Sequence, residues 1–141
     1  MKYKVTKRIA CPRNIVSRLF SDRECMHEWE QGLVAINDVR GHLFENDSQG
    51  ELVFSFNGER QIMKVRVTNY DLPTTITLVY ELGGVYNECI NSFIEEKDET
   101  IWTMDVTFVF NEDATIPEDV FVKKTNAGMD AFLSFVVKNI N

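Results

Sequence analysis

The sequence predicts an α+β fold in which helices cover one face of a curled antiparallel sheet. Two patterns carry this prediction. From Leu33 to Phe110, apolar and polar residues alternate with the period of two that is typical of strands. After Pro117, apolar residues recur at three- and four-residue steps over about 23 residues, the pattern of one long amphipathic helix. The length of 141 residues, without linker or repeat, predicts a single domain over residues 1–141.

A strand and two short helices are predicted before the alternating region. Residues 2–10 alternate and predict a strand with one buried face. Pro12 opens a helical segment, PRNIVSRLFSD, because proline is favoured in the first turn of a helix. Asp22 is a suitable cap for a second short helix, which is expected to end at Gly32.

Six further strands and a terminal helix follow. The strand candidates are 33–40, 50–57, 60–70, 74–82, 84–96 and 99–110. Asn57-Gly58 is typical of a type I′ hairpin turn, and links this short make consecutive strands antiparallel. The sheet is therefore expected to hold about six to seven strands. Thr115 and Glu118 have capping-box spacing, which places the helix start near Pro117.

The alternation assigns one inward face to most strands. This face carries Leu52, Phe54, Phe56, Met63, Val65, Val67, Ile76, Leu78, Tyr80, Leu82, Trp102, Met104, Val106, Phe108 and Phe110. Strand 84–96 stays ambiguous. Either Tyr86, Glu88, Ile90, Ser92 and Ile94 point inward, or Asn87, Cys89, Asn91 and Phe93 do. Both alternatives bring polar atoms into the interior, where they need a partner, a water or a ligand.

The stretch MHEWEQGL resembles a metal site only in its first letters. It begins with the His-Glu of the zinc signature H-E-x-x-H, but position 31, where the second histidine would stand, is Gln31. Helical spacing places Trp29 on the buried side and His27 toward water. His42 lies in a loop, so no metal is predicted. The sequence also lacks a phosphate-binding or dinucleotide motif, so no cofactor is predicted.

Charge and composition exclude several classes of partner. The net charge of −7 disfavours nucleic acid and anionic membrane surfaces, because both require a basic protein surface. The sequence has no apolar run of the ~18 residues that a membrane span needs. It also lacks the apolar core of a secretory signal, so a cytoplasmic location is expected.

A set of large inward residues predicts a binding site for an apolar molecule. The alternative for each single residue is an ordinary packed core. Pockets for small molecules are mostly apolar with a few polar groups, and methionine suits an adaptable wall. The predicted ligand-binding residues are Trp29, Phe54, Phe56, Met63, Tyr80, Tyr86, Glu88, Trp102, Met104, Phe108, Thr125, Met129 and Phe132.

Three segments resemble the helix-grip, or START-like, superfamily, often called SRPBCC. They are VTKRIACPRNIVSRLFSD followed by HEWEQGLVAINDVRG, the hairpin FIEEKDETIWTMDVTF, and the terminal helix near Pro117. The polyketide cyclase/dehydrase-like branch is the most similar. The resemblance spans nearly the whole chain, and its motifs are architectural. It implies a sheet wrapped around a long C-terminal helix, with a cavity between them that holds lipids, polyketides or similar molecules.

Three functions are consistent with that resemblance, and one of them is an interaction protein whose cavity is filled. The favoured one is binding of a small hydrophobic ligand in the cavity, with Thr125 or Tyr86 orienting it near the mouth. The alternative is an enzyme of the cyclase/dehydratase kind, in which Glu88 or Glu28 acts as a general base. Glu28, Glu30 and Glu88 are the carboxylates that could meet across such a cavity.

Overall fold

Seven antiparallel strands form one sheet in the computed structural model, which describes residues 1–111 and 116–140. The strands are β1 (Lys2–Ile9), β2 (Leu33–Arg40), β3 (Gln49–Phe56), β4 (Glu59–Asp71), β5 (Thr75–Leu82), β6 (Val85–Glu96) and β7 (Glu99–Phe110). Their order across the sheet is β1-β7-β6-β5-β4-β3-β2, so β7 pairs with both its neighbour in sequence and the first strand. The predicted curved sheet is confirmed.

Type I′ hairpin turns join two of the strand pairs. Asn57 and Gly58, between β3 and β4, have φ of 52° and 82°. Gly83 and Gly84, between β5 and β6, have φ of 55° and 79°. Positive φ at both central residues is what this turn requires. The hairpin predicted at Asn57-Gly58 is confirmed.

Helices α1 (Arg13–Ser21) and α2 (Glu118–Asn139) lie against the sheet. The 22 residues of α2 follow Pro117, as predicted, whereas Thr115 of the predicted capping box lies outside the described residues. None of the helices in the described residues is long and apolar enough to cross a membrane.

The second short helix is much shorter than the sequence predicts. Only Met26–Glu28 form a 3-10 helix within the expected span from Asp22 to Gly32. Asp22 accepts a hydrogen bond from the backbone N–H of Glu24 at 3.0 Å. Such local bonds offer the backbone an alternative to helix. The chain then turns sharply at Gly32, where φ is 84°.

A cluster of five aromatic rings forms the centre of the core. These rings are Phe20, Trp29, Phe93, Trp102 and Phe132, with neighbouring centroids 4.9–6.2 Å apart. We call them the aromatic cluster. They come from α1, the segment after the 3-10 helix, β6, β7 and α2, so the cluster ties both helices to the sheet. Aromatic pairs at such distances add stabilisation beyond their buried area.

Polar contacts hold α2 against the first strand. Lys7 forms an ion pair with Asp130 at 3.1 Å. The hydroxyl of Tyr3 donates to the carbonyl of Phe121 at 3.2 Å and lies 2.7 Å from the hydroxyl of Thr125. These contacts lie between Phe121 and Asp130 of α2, so this part of the helix has anchors of its own besides the aromatic cluster.

The facing of β6 is resolved in favour of its second alternative. Cys89, Asn91 and Phe93 are buried on the concave side. Phe93 stacks against Trp102 at 6.2 Å, and the indole N–H of Trp102 donates to Oδ1 of Asn91 at 3.1 Å. These contacts with β7 fix the register of the pair. Because side chains alternate along a strand, Tyr86 lies on the convex side.

Candidate functional site

A cavity of about 540 Å³ lies between the concave face of the sheet and α2. This volume falls within the range of roughly 300–1,000 Å³ that is typical of small-molecule sites. Its lining residues are Phe20, Trp29, Glu30, Leu52, Phe54, Met63, Tyr80, Leu82, Val85, Asn87, Asn91, Trp102, Met104, Phe108, Phe121, Lys124, Thr125, Gly128 and Met129. Most of these side chains are apolar, and seven are aromatic.

The cavity has a closed end and an open rim. Three members of the aromatic cluster, Phe20, Trp29 and Trp102, line its inner end. Leu82, Lys124 and Gly128 line it and are exposed to solvent, which marks the rim between the β5–β6 hairpin and α2. A Cβ added to Gly128 would meet no atom within 4 Å. Because glycine has no side chain, α2 leaves the space beside the opening free at this position.

Nine of the predicted ligand-binding residues line the cavity. They are Trp29, Phe54, Met63, Tyr80, Trp102, Met104, Phe108, Thr125 and Met129. The alternation of strands β3, β4, β5 and β7 therefore identified the correct face of the sheet. Contact of these residues with a ligand stays a prediction.

Phe56 and Phe132 share the expected faces but do not line the cavity. Phe56 lies at the end of β3, is 43% exposed and stacks on Phe54 at 6.0 Å. Its ring covers Gly32, where an added Cβ would lie 2.6 Å away from it. Phe132 is fully buried inside the aromatic cluster, behind the residues that line the cavity. Tertiary packing determines both positions, and the alternation of apolar residues along a strand or helix does not reveal it.

Tyr86 and Glu88 lie on the convex face, so their prediction as cavity residues is wrong. The ring of Tyr86 lies 6.0 Å from the guanidinium carbon of Arg66, on the side of the sheet opposite α2. Glu88 pairs in register with Val79 and Thr107 on the same side. The inward positions of β6 belong instead to Asn87, Cys89, Asn91 and Phe93.

Glu30 is the one carboxylate among the described residues that lines the cavity. Burial raises the pKa of this carboxyl group to about 7. Within the described ranges, its carboxylate forms no hydrogen bond and no ion pair. Glu28, two residues earlier, is exposed. Of the three glutamates that the sequence offers, only Glu30 contributes charge to the cavity.

Neutral polar groups lie near Glu30, and all of them except Cys89 line the cavity. Burial raises the pKa of the Tyr80 phenol well above its ordinary value, and the charges of Cys89 and Glu30 raise it further. Burial also raises the pKa of the Cys89 thiol to about 12. Both groups are therefore protonated at neutral pH. Asn87 and Asn91 supply amides, and the Oδ1 of Asn91 is engaged by Trp102.

Comparisons with known proteins show which fold this architecture represents. No protein-family model matches the sequence, and no curated protein matches it significantly. Solved structures do match. Ara h 8.0201 is 13% identical, covers 99% of each chain and has a TM-score of 0.82. The Zhui aromatase/cyclase from Streptomyces sp. R1128 is 12% identical over 100% of this chain and 96% of its own, with a TM-score of 0.78.

A START superfamily protein from Mycobacterium smegmatis is 13% identical, covers 97% of each chain and has a TM-score of 0.77. The chain has a helix-grip fold. The fold implied by the sequence resemblance is thereby confirmed. At these identities the likeness carries the helix-grip architecture and no activity, because one fold hosts many functions.

Several residues of the helix-grip cavity were absent from the predicted site. They are Phe20, Glu30, Leu52, Leu82, Val85, Asn87, Asn91, Phe121, Lys124 and Gly128. Leu52 and Leu82 belong to the strand face that the sequence pattern had already identified as inward. Lys124 and Gly128 are exposed rim residues, and nothing in the periodicity of α2 marks them. Among the described residues, no cluster of histidine, cysteine or acidic side chains could hold a metal ion.

Proposed function

We propose that this protein binds a small, largely apolar molecule in the cavity under α2. The observation that carries the proposal is the cavity of about 540 Å³, walled by aromatic and methionine side chains. Moving apolar surface out of water contributes roughly 25 cal/mol per Å². A ligand of the size of two fused rings could therefore gain enough to offset the loss of its translational freedom.

The comparisons support this proposal only through the shared fold. One matched structure is a START superfamily protein and another is an aromatase/cyclase, and these descriptions apply to those proteins. The single-domain organisation, the cytoplasmic location and the absence of nucleic-acid binding stay predictions.

The enzymatic alternative has lost both carboxylates assigned to it. Glu28 is exposed on the 3-10 helix, and Glu88 lies on the convex face of the sheet. Acid–base chemistry in this cavity would have to use Glu30, whose pKa of about 7 suits proton transfer near neutral pH. The apolar character of the remaining wall favours binding as the function.

The proposal is tested by what the purified protein carries and takes up. We expect extraction of the denatured protein, followed by mass spectrometry, to release a stoichiometric apolar compound. A sample stripped of it should bind naphthylethanol in isothermal titration calorimetry. Gly128→Trp places an indole at the rim, so this variant should lose most of that binding.

Ala131→Trp is the matched control, because Ala131 is exposed on α2 and does not line the cavity. It should bind naphthylethanol as the natural sequence does. If the stripped natural protein shows no heat of binding up to millimolar naphthylethanol, the proposed function is wrong. Equal binding by Gly128→Trp would place the site elsewhere on the molecule.

A further inference from the structure

We propose that the cavity selects apolar amines, whose protonated nitrogen pairs with the carboxylate of Glu30. This inference rests on the proposed function and narrows it to one chemical class of ligand. It assigns to Glu30 the role of ligand anchor. The surrounding wall holds the apolar part of the molecule.

The first step is the isolation of the Glu30 carboxylate. A carboxylate removed from water is costly unless it is protonated, hydrogen-bonded or paired with a cation. Glu30 has no hydrogen-bond or ion-pair partner among the described residues, and its half-buried side chain lines the cavity, through which its oxygens stay accessible. Its backbone is fixed by the bond from its N–H to the carbonyl of Met26 at 2.9 Å, and by Gly32 under the ring of Phe56. The backbone from which the side chain reaches the cavity is therefore fixed.

The second step is the set of charges around it. From β5 and β6, Glu30 faces Tyr80 and Cys89, both neutral at pH 7 because burial raises their pKa values. From α2, Lys124 lines the same cavity, but its side chain is exposed at the rim and forms no ion pair with Glu30. Glu28, on the neighbouring 3-10 helix, points to solvent. The described residues therefore place no positive charge against Glu30, and a cationic ligand would supply one.

The third step is the chemistry of the wall. Aromatic faces attract cations, and an ammonium group attached to an apolar body matches a carboxylate surrounded by rings. The net charge of −7 also raises the local concentration of cations around the protein. An alcohol could donate one hydrogen bond to Glu30 but would leave its charge unpaired. A carboxylic acid would be repelled by it.

Three probes with one skeleton separate these classes. Naphthylethylamine, naphthylethanol and naphthylacetate would be titrated into the stripped protein by calorimetry from pH 5.5 to pH 8. At pH 8 we expect the amine to bind at least about tenfold more tightly than the alcohol, and the acid to bind weakest. The ammonium pairs only with ionised Glu30, whose pKa is about 7. Amine affinity should therefore rise about tenfold between pH 5.5 and pH 7.5 and then level off.

Two variants assign the effect to one residue. Glu30→Gln keeps the shape of the side chain and removes its charge. This variant should still bind the alcohol and should bind the amine with the same affinity. Neither affinity should depend on pH. Glu28→Gln removes a charge two residues away, outside the cavity, and should behave as the natural protein does.

The contrary outcomes are distinct. Equal affinities for amine and alcohol, or an amine preference that survives in Glu30→Gln, would overturn the amine assignment and leave the apolar site standing. Preference for naphthylacetate would overturn it in favour of Lys124 as the anchor. Failure of all three probes to bind would overturn both this inference and the proposed function.

Discussion

At the scale of single residues, Glu30 is the most unusual feature of the molecule. Its carboxylate occupies a mostly apolar cavity without a partner in the described part of the chain, and burial raises its pKa to about 7. The folded protein therefore holds this proton more tightly than the unfolded chain, whose glutamates have a pKa of roughly 4.3. Such a difference makes the stability of the fold depend on pH.

The sign of this dependence follows from the raised pKa. Between about pH 4.3 and pH 7, the unfolded chain has released the proton and the folded protein retains it, so stability falls as pH rises. We expect Glu30→Gln to be more stable than the natural protein at pH 8. The difference in the free energy of unfolding should grow by about 2–3 kcal/mol from pH 5 to pH 8, measured by urea denaturation.

Glu28→Gln controls for loss of a charge from the same segment, since Glu28 is exposed. Its free energy of unfolding should stay parallel to that of the natural protein over this pH range. If Glu30→Gln were also parallel, the Glu30 side chain would be hydrated in solution and unable to act as a buried anchor.

The periodicity of the sequence predicted which face of its strand a side chain occupies. It was less able to predict which other residues that side chain contacts. Met63, Tyr80 and Trp102 lie on the cavity because alternation alone determines the face of their strands. The strand 84–96 has apolar residues on both faces, so only tertiary contacts such as that between Asn91 and Trp102 resolve it. The sequence pattern could not predict the burial of Glu30 either, because that burial depends on how the short segment between the 3-10 helix and β2 packs against the cavity.

At the scale of elements, α2 combines a packed half with a half that borders the cavity. Its C-terminal half buries Phe132, Phe135 and Val136, whereas its N-terminal half presents Lys124 and Gly128 to the rim. The terminal helix itself was predictable from its spacing. The second short helix was not, since Asp22 and Gly32 act as local turn formers and limit it to Met26–Glu28.

Gly128 lowers the stability of α2. Its φ is not positive, and an added Cβ would meet no atom within 4 Å. Alanine is favoured over glycine in a helix interior by about 1 kcal/mol. We expect Gly128→Ala to raise the free energy of unfolding by roughly 0.5–1 kcal/mol in chemical denaturation.

Gly84→Ala provides the contrast at the β5–β6 turn. Gly84 has a φ of 79°, and an added Cβ would collide with the side chain of Asn111. This variant should lose stability. A loss of stability in Gly128→Ala as well would show that α2 is deformed at this position rather than a regular helix.

At the scale of the whole molecule, the interior is divided into a packed region and a hollow one. The aromatic cluster, with buried neighbours such as Val16 and Val136, fills the region between α1, the sheet and the C-terminal half of α2. The cavity of about 540 Å³ occupies the region toward the rim. Protein interiors are normally close-packed, so an open volume of this size forgoes contacts that the side chains around it could have made.

The same substitution should therefore have different effects in the two regions. Met63 lines the cavity and is half-buried, whereas Met26 is buried and does not line it. Forcing a larger ring into packed core costs about 1–3 kcal/mol. We expect this loss for Met26→Phe in urea denaturation, and less than about 1 kcal/mol for Met63→Phe, whose ring can enter the cavity. Met63→Phe should also weaken naphthylethanol binding. Equal losses of stability in Met26→Phe and Met63→Phe would mean that the cavity is closed in solution. The proposed binding site would then be ruled out.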